Sequence, residues 1–163
     1  MDAFDIILRY YPHDDALRRL LLHHSRQVMR RALRIAARHP ELGMDRAFLV
    51  QAALLHDVGI FMTNAPGIHC HGTHPYLLHG YLGAELLRSH GMNRLARVCE
   101  RHTGTGLTPE QIAAQQLPLP PGSYVPETPE EQLLCYADKF YSKSHPERER
   151  TVAQTAVSLE KFG

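Results

Sequence analysis

The chain has 163 residues, 44% hydrophobic and 21% charged, with 18 Lys plus Arg against 17 Asp plus Glu, a net charge of +1. That length suits a single domain with its own core, and so even a charge balance argues against a nucleic-acid polymer or a membrane as partner. Three cysteines without CxxC spacing, no signal pattern at the N-terminus and no apolar run of spanning length predict a cytoplasmic protein with reduced thiols.

Composition departs from the ordinary in one respect, 12 histidines and no tryptophan, so the positions of those histidines carry the interest. Met1 to Tyr11 reads as a short helix stopped by Pro12, with Phe4, Ile7 and Leu8 as its apolar side. Asp14 and Asp15 open a long helix to about Arg38, with one break allowed near His23. Leu17, Leu21, His24, Val28, Ala32 and Ile35 form its inward stripe, while His23, Gln27, Arg30 and Arg34 face water.

Asp45 is positioned to cap a buried helix over residues 47–58, in which only Gln51, His56 and Asp57 are polar, with Gly59 as C-cap. An unpaired carboxylate there would cost several kcal/mol, roughly, or be forced neutral, so a cation must meet Asp57. A divalent metal is the natural partner, and simple pairing with His56 or an arginine is the alternative.

Residues 60–75, IFMTNAPGIHCHGTHP, lack periodicity and read as a lid or binding loop. Its His69, Cys70, His71 and His74 fit no standard zinc spacing. Ahead of an extra metal site, the preferred readings are a loop over the site that offers the imidazoles of His69, His71 and His74 to an anionic substrate, or simply a polar surface loop. The next helix, about Pro75 to His90 with Gly91 as C-cap, turns His79 inward, and Gly80, Gly83 and Ala84 allow a neighbour to approach closely. His90 fits the role of a cation at the end of the helix dipole.

Asn93 is expected to cap a helix with Leu95, Val98, Cys99 and His102 inward and Arg94, Arg97, Glu100 and Arg101 in solvent, followed by the anion-suited turn from Thr103 to Gly106. Thr108 and Thr128 open capping boxes on either side of a Pro-rich connection over residues 117–126. The second box starts a helix through Lys143 that aims Asp138 inward, with Lys139 and Lys143 beside it. A peripheral helix over about 147–161 completes an all-α, single-domain helical bundle, without repeats or strands.

Six inward residues on five helices, His24, His56, Asp57, His79, His102 and Asp138, together describe a thiolate-free metal centre in a helical bundle. They are too many for one open tetrahedral ion and suit two divalent ions bridged by Asp57. With a bridging hydroxide, such a centre retains net positive charge and a nucleophile at neutral pH, the chemistry of a phosphohydrolase.

The ordered set His24-Ser25, His56-Asp57, His79-Gly80 with Gly83-Ala84, His102-Thr103-Gly104 and Ala137-Asp138-Lys139 resembles the HD superfamily of metal-dependent phosphohydrolases. Within it, the chain is similar to HDIG-type proteins and symmetrical bis-nucleoside tetraphosphate hydrolases, over about residues 16–143. The resemblance implies His24, His56, Asp57 and Asp138 around one metal and Asp57, His79 and His102 around a second. It further implies Lys139 and Arg101 as phosphate contacts, and catalysis centred on Asp57, His56 and Lys139. Where many relatives carry a lysine shortly after the HD pair, this chain has Gly59-Ile60, and its His-rich loop is longer.

The expected activity is hydrolysis of a nucleotide or another small phosphoester or phosphoanhydride, with two ions drawn from Fe, Mn, Co, Ni or Zn. The alternatives are a mixed-valence diiron oxygenase and a non-catalytic nucleotide sensor. The sequence leaves monomer and homodimer equally open.

Overall fold

Asp15 accepts a hydrogen bond from the Arg18 amide and so starts α2 (Ala16–Arg38), the 23-residue helix on which the rest of the chain is arranged. In the computed structural model, which describes residues 2–160, this helix runs through His23 without a break. Leu21, His24, Ser25, Val28, Ala32 and Ala36 are buried along one side. The opposite side exposes Arg19, His23, Arg26, Arg30, Arg34 and Arg38, on a helix with seven arginines and no acidic residue. Like-charged i,i+4 neighbours such as Arg26/Arg30 and Arg30/Arg34 each destabilise an isolated helix by roughly 0.2–0.5 kcal/mol.

Before it, α1 (Ala3–Tyr10) is capped by Asp2 and buries Ala3, Ile6 and Ile7. Phe4 and Leu8, expected inside, are 48% and 45% exposed, because two turns of helix carry two overlapping apolar stripes and the core takes the one with both isoleucines. After it, α3 (Arg46–Leu55) begins at the Asp45 cap as expected but ends at Leu55, three residues short of Val58. Beyond His56 the bonds tighten from i−4 to i−3, Val58 N to Leu55 O and Ile60 N to Asp57 O, so the HD pair sits on a turn. Tyr11 holds that turn from outside by donating its hydroxyl proton to Val58 O at 2.8 Å.

The segment read as a structureless loop is folded. A 3-10 turn, Ile60–Met62, leads into a hairpin of β1 (Asn64–Ala65) and β2 (Cys70–His71), antiparallel, with Ala65 opposite Cys70. Two-residue strands show no alternation, which is why the pattern gave no sign of them. Another 3-10 turn, Tyr76–Leu78, precedes α4 (His79–Ser89), and α5 (Asn93–Glu100) follows. Asn93 is the first helical residue of α5 and gives no cap, since Met92 takes that position without a side-chain bond. A methyl group on Gly59 would lie 2.5 Å from Gly83 N, so the turn after the HD pair meets α4 backbone to backbone, as the small residues of α4 led one to expect.

The capping boxes at Thr108 and Thr128 start α6 (Pro109–Ala114) and α7 (Pro129–Asp138). α7 stops at Asp138, short of the expected Lys143, and gives way to a hairpin of β3 (Tyr141–Ser142) and β4 (His145–Glu149) around the turn Lys143-Ser144. β4 therefore occupies the start of the expected last helix, which is shortened to α8 (Val152–Leu159), and the expected end at Lys161 lies outside the described residues. Gln27 donates to Pro146 O at 2.9 Å and Arg31 pairs with Glu149, seating the hairpin on α2.

The chain is thus all-α apart from two small hairpins. A main core draws on α1 to α5 and α7, and a satellite of Leu107, Ile112 and Tyr124 lies beneath the Pro-rich connection. All three cysteines are buried and free. Among the described residues, no helix is long and apolar enough to cross a membrane.

Candidate metal centre

His24 comes from the middle of α2, His56 and Asp57 from the turn after α3, His79 from the first residue of α4, His102 from just beyond α5 and Asp138 from the last residue of α7. All but Asp138 are buried, and even its side chain is only 13% exposed. The ligand atoms fall into two groups of metal-binding size that share Asp57. One is His24, His56, Asp57 and Asp138, and the other is Asp57, His79 and His102. The sequence reading placed the same six residues together in the same two sets.

Asp57 is two-sided. Its Oδ2 lies 3.3 Å from His24 Nε2 and 3.2 Å from His56 Nε2, while Oδ1 lies 3.3 Å from His79 Nε2 and 3.4 Å from His102 Nε2. Asp138 Oδ1 closes the first group, 2.8 Å from His24 and 3.5 Å from His56.

Second partners fix three of the rings. His56 Nδ1 donates to Ala53 O at 2.8 Å, His79 Nδ1 to Tyr76 O at 2.7 Å and His102 Nδ1 to Cys99 O at 2.7 Å. With the proton held on Nδ1, each neutral ring turns the bare lone pair of Nε2 to the centre, the tautomer a metal ligand needs. His79 Nε2 and His102 Nε2 then face each other at 3.0 Å, and the buried Oδ1 of Asp57 between them has no hydrogen-bond donor, whereas Oδ2 is met by Lys143 Nζ at 2.7 Å. In this second group the acceptors His79 Nε2, His102 Nε2 and Asp57 Oδ1, turned toward one another without protons, repel unless a cation lies among them, and nitrogen and oxygen donors without thiolate suit Fe, Mn, Co, Ni or Zn. The donor set fits a divalent metal. His24 is the exception in its outer partner, since its Nδ1 has none.

Protonation follows from the same crowding. Burial, reinforced by the His102 charge, pushes His79 down to about 3, and burial also lowers His102. For His56, burial acts downward but the charges and hydrogen bonds of Asp57 and Asp138 outweigh it, raising the group to about 9. Burial disfavours the ionised form of both carboxylates. Lys143 and His56 nevertheless hold Asp57 well below the usual range, and Lys139 and His24 do so for Asp138.

These shifts predict how chelated protein responds to pH. Between about 3 and 6.5 the unfolded chain binds a proton at His79 that the native state refuses, so stability falls as pH drops below 6.5. His56 has the opposite sign: its contribution is complete below 6.5 and is lost as pH rises through about 9. Thermal melts in chelator from acid to alkaline pH are therefore expected to peak near neutrality. A midpoint that only rises or only falls across that range contradicts the assignment.

Beside the cluster opens a cavity of about 450 Å³. His79, His102 and Asp138 form its floor, and Thr103, Lys139, Lys143 and Arg150 stand in its walls. Lys143, absent from the expected site, is the main addition, with Nζ 2.7 Å from Asp57 Oδ2 and its side chain 12% exposed. Pro146 disfavours helix only at His145, beyond the expected end at Lys143, so nothing in the sequence signals that the helix stops at Asp138. A turn swings Lys143 over the cluster where a helix would have carried it past.

Other expected contacts need correction. Arg101 is buried, donates to Val125 O at 2.6 Å and pairs with Glu127 at 3.0 Å, and it does not line the cavity. His69, His71 and His74 are exposed and contribute nothing to the cavity walls, which take Ala65, Pro66, Gly67 and Ile68 from that hairpin. With Cys70 they form no third metal-sized group among the described residues. Lys139 donates to Asp138 Oδ2 at 2.8 Å and to His102 O at 2.6 Å, so it holds two ligands in place.

A family model described as HD domain matches residues 21–142. Over 124 residues the chain is 38% identical to a protein of Picrophilus torridus named tRNA (cytidine(56)-2'-O)-methyltransferase, covering 76% of this chain and 32% of that one. A Thermoplasma volcanium protein of the same name is 32% identical over 141 residues, 86% of this chain and 36% of the relative. An uncharacterised protein of Methanocaldococcus jannaschii is 37% identical over 109 residues, 66% of this chain and 57% of the relative. The chain spans about a third of the length of the two methyltransferases, and no solved structure matches it. With a match running from the helix of His24 to the hairpin beyond Asp138, and a buried His/Asp cluster able to bind metal ions, the chain belongs to the HD domain family.

Proposed function

We propose that this protein is a metal-dependent phosphohydrolase acting on a nucleotide or another small phosphoester, with two divalent ions held on either side of Asp57. The observation that carries the reading is the two-sidedness of that carboxylate, each oxygen facing its own pair of imidazoles. Bound there, the ions would supply Lewis acidity toward a phosphoryl oxygen and a nucleophile at neutral pH.

The chain's own groups do the rest. His56, His79 and His102 are oriented by backbone carbonyls, and Lys139 ties Asp138 to the backbone carbonyl of His102. Lys143 and Arg150 give the cavity the positive charge that a phosphate monoester or anhydride needs, and Thr103, Ser142 and Ser144 add hydroxyl donors. A cavity of about 450 Å³ admits a ligand of mononucleotide size.

Chelated protein reloaded separately with Mn, Fe, Co, Ni and Zn is expected to release phosphate from nucleotides or small phosphoesters with at least one metal, under nitrogen as well as in air. Turnover only in oxygen would instead favour the diiron oxygenase, and tight nucleotide binding without turnover would favour a sensor.

A second reading concerns where the phosphate resides. The two relatives named as tRNA methyltransferases support an RNA-linked substrate, a phosphate carried on or released from RNA, for the same centre. Release of phosphate from end-phosphorylated RNA, compared with free mononucleotide, separates the two.

A further inference from the structure

The net charge of +1 conceals an uneven distribution. On the outer face of α2, Arg19, His23, Arg26, Arg30, Arg34 and Arg38 recur at three- and four-residue intervals, all exposed. At 1.5 Å per residue the row is about 28 Å long, with one side chain on nearly every turn. Arg19 pairs with Asp14 at 3.4 Å, whereas Arg26, Arg30, Arg34 and Arg38 have no ion pair among the described residues. Arg88 pairs with Glu85 and Glu100, Arg97 with Glu127 and Glu131, and Arg31 with Glu149, while the other arginines without an ion pair among the described residues, Arg9, Arg46, Arg94 and Arg150, are scattered over separate elements. From Arg26 to Arg38 the outer face of the helix is thus a line of unpaired guanidinium groups held on a rigid rod.

We propose that this face of α2 docks the phosphate backbone of structured RNA. A guanidinium fork matches phosphate oxygens, and a regular row of them matches a regular row of phosphates. None of the exposed large hydrophobic side chains lies on α2, so the face has nothing to insert into a bilayer. It carries no tyrosine, phenylalanine or tryptophan on which unpaired bases would stack, so a folded, double-helical backbone suits it better than a single strand. The naming of RNA rests on the second reading above, and the docking itself is independent of hydrolysis. The row also adjoins the site, because His23 Nε2 lies 3.3 Å from Pro146 O of the hairpin that places Lys143 and Ser144 in the cavity wall.

The test is a fluorescence-anisotropy titration of the whole chain in chelator against an in vitro transcribed tRNA, at about 50 and about 200 mM salt. The triple variant Arg26→Gln, Arg30→Gln, Arg34→Gln keeps good helix formers at solvated positions, and circular dichroism checks that it remains folded. It is expected to lose about 10-fold or more in affinity at low salt and to flatten the slope of log K against log salt by roughly 2–3. A control triple at other exposed arginines, Arg9→Gln, Arg46→Gln, Arg148→Gln, removes the same charge and should stay within about 2-fold of the parent.

Equal binding by parent and stripe variant, or an equal loss in the control, would overturn the proposal. So would duplex DNA binding as tightly as tRNA, or binding confined to phosphatidylserine vesicles. Release of phosphate from a small phosphoester by the metal-loaded stripe variant should match the parent. Absence of turnover in both proteins would count against the hydrolase and leave the RNA measurement standing.

Discussion

Asp57→Asn is expected to remove bound metal and phosphoester turnover together, lowering turnover by on the order of 1000-fold. The change keeps the shape of the side chain and removes the charge that lies between two imidazole pairs. An amide has one acceptor oxygen and cannot serve both sides, so each group of ligands loses its shared member. In chelator the same variant strands Lys143, whose Nζ sits 2.7 Å from the carboxylate, and breaking a buried pair of this kind typically costs about 3–5 kcal/mol. Adding Lys143→Met should recover part of that loss without restoring metal, a double-mutant cycle read by thermal melts and elemental analysis. Full metal content with normal turnover in the single variant would refute the bridging role.

Gly59→Ala is the second large effect. A Cβ there would collide with the His79 carbonyl and lie 2.5 Å from Gly83 N and 2.9 Å from its Cα, all backbone atoms that no rotamer change can clear. The turn bearing the HD pair must then move off α4, at a cost of about 3 kcal/mol, or roughly 6–12 °C in Tm. Because that movement separates Asp57 from His79, affinity for the second ion should fall as well. The comparison variant is Gly67→Ala in the first hairpin, where a Cβ meets nothing within 4 Å. A similar loss in both would mean that the close approach at Gly59 is not what matters.

Much of the centre was legible because helical phase is a strong signal over long spans. His24 falls on the same side as Leu21 and Val28, and the 23 residues of α2 leave no doubt about which side is buried. Capping chemistry was equally readable at Asp45, Thr108 and Thr128, where a side chain within three residues of its target decides the start. What escaped were features set by tertiary contact. Arg101 looked solvated by phase, but it lies just beyond the end of α5, where the chain turns and Val125 and Glu127 enclose it. Lys143 fell on a two-residue turn whose pairing partner starts only at His145, too short a ladder for any period to register. The unpaired arginines of α2 were individually visible, but their isolation from acidic side chains depends on neighbours that the sequence does not place.

His56, His79 and His102 share a device: each ring is steered by the carbonyl three positions upstream, within a single loop of backbone. Their aim is therefore inherited from nearest neighbours along the polymer and needs no cation to establish it. Ion uptake should accordingly proceed at the pace set by shedding hydration water, with no refolding phase in stopped-flow traces. His24 alone of the four histidines lacks such a carbonyl at Nδ1, and its ring is held instead through Nε2 by Asp138 Oδ1 at 2.8 Å.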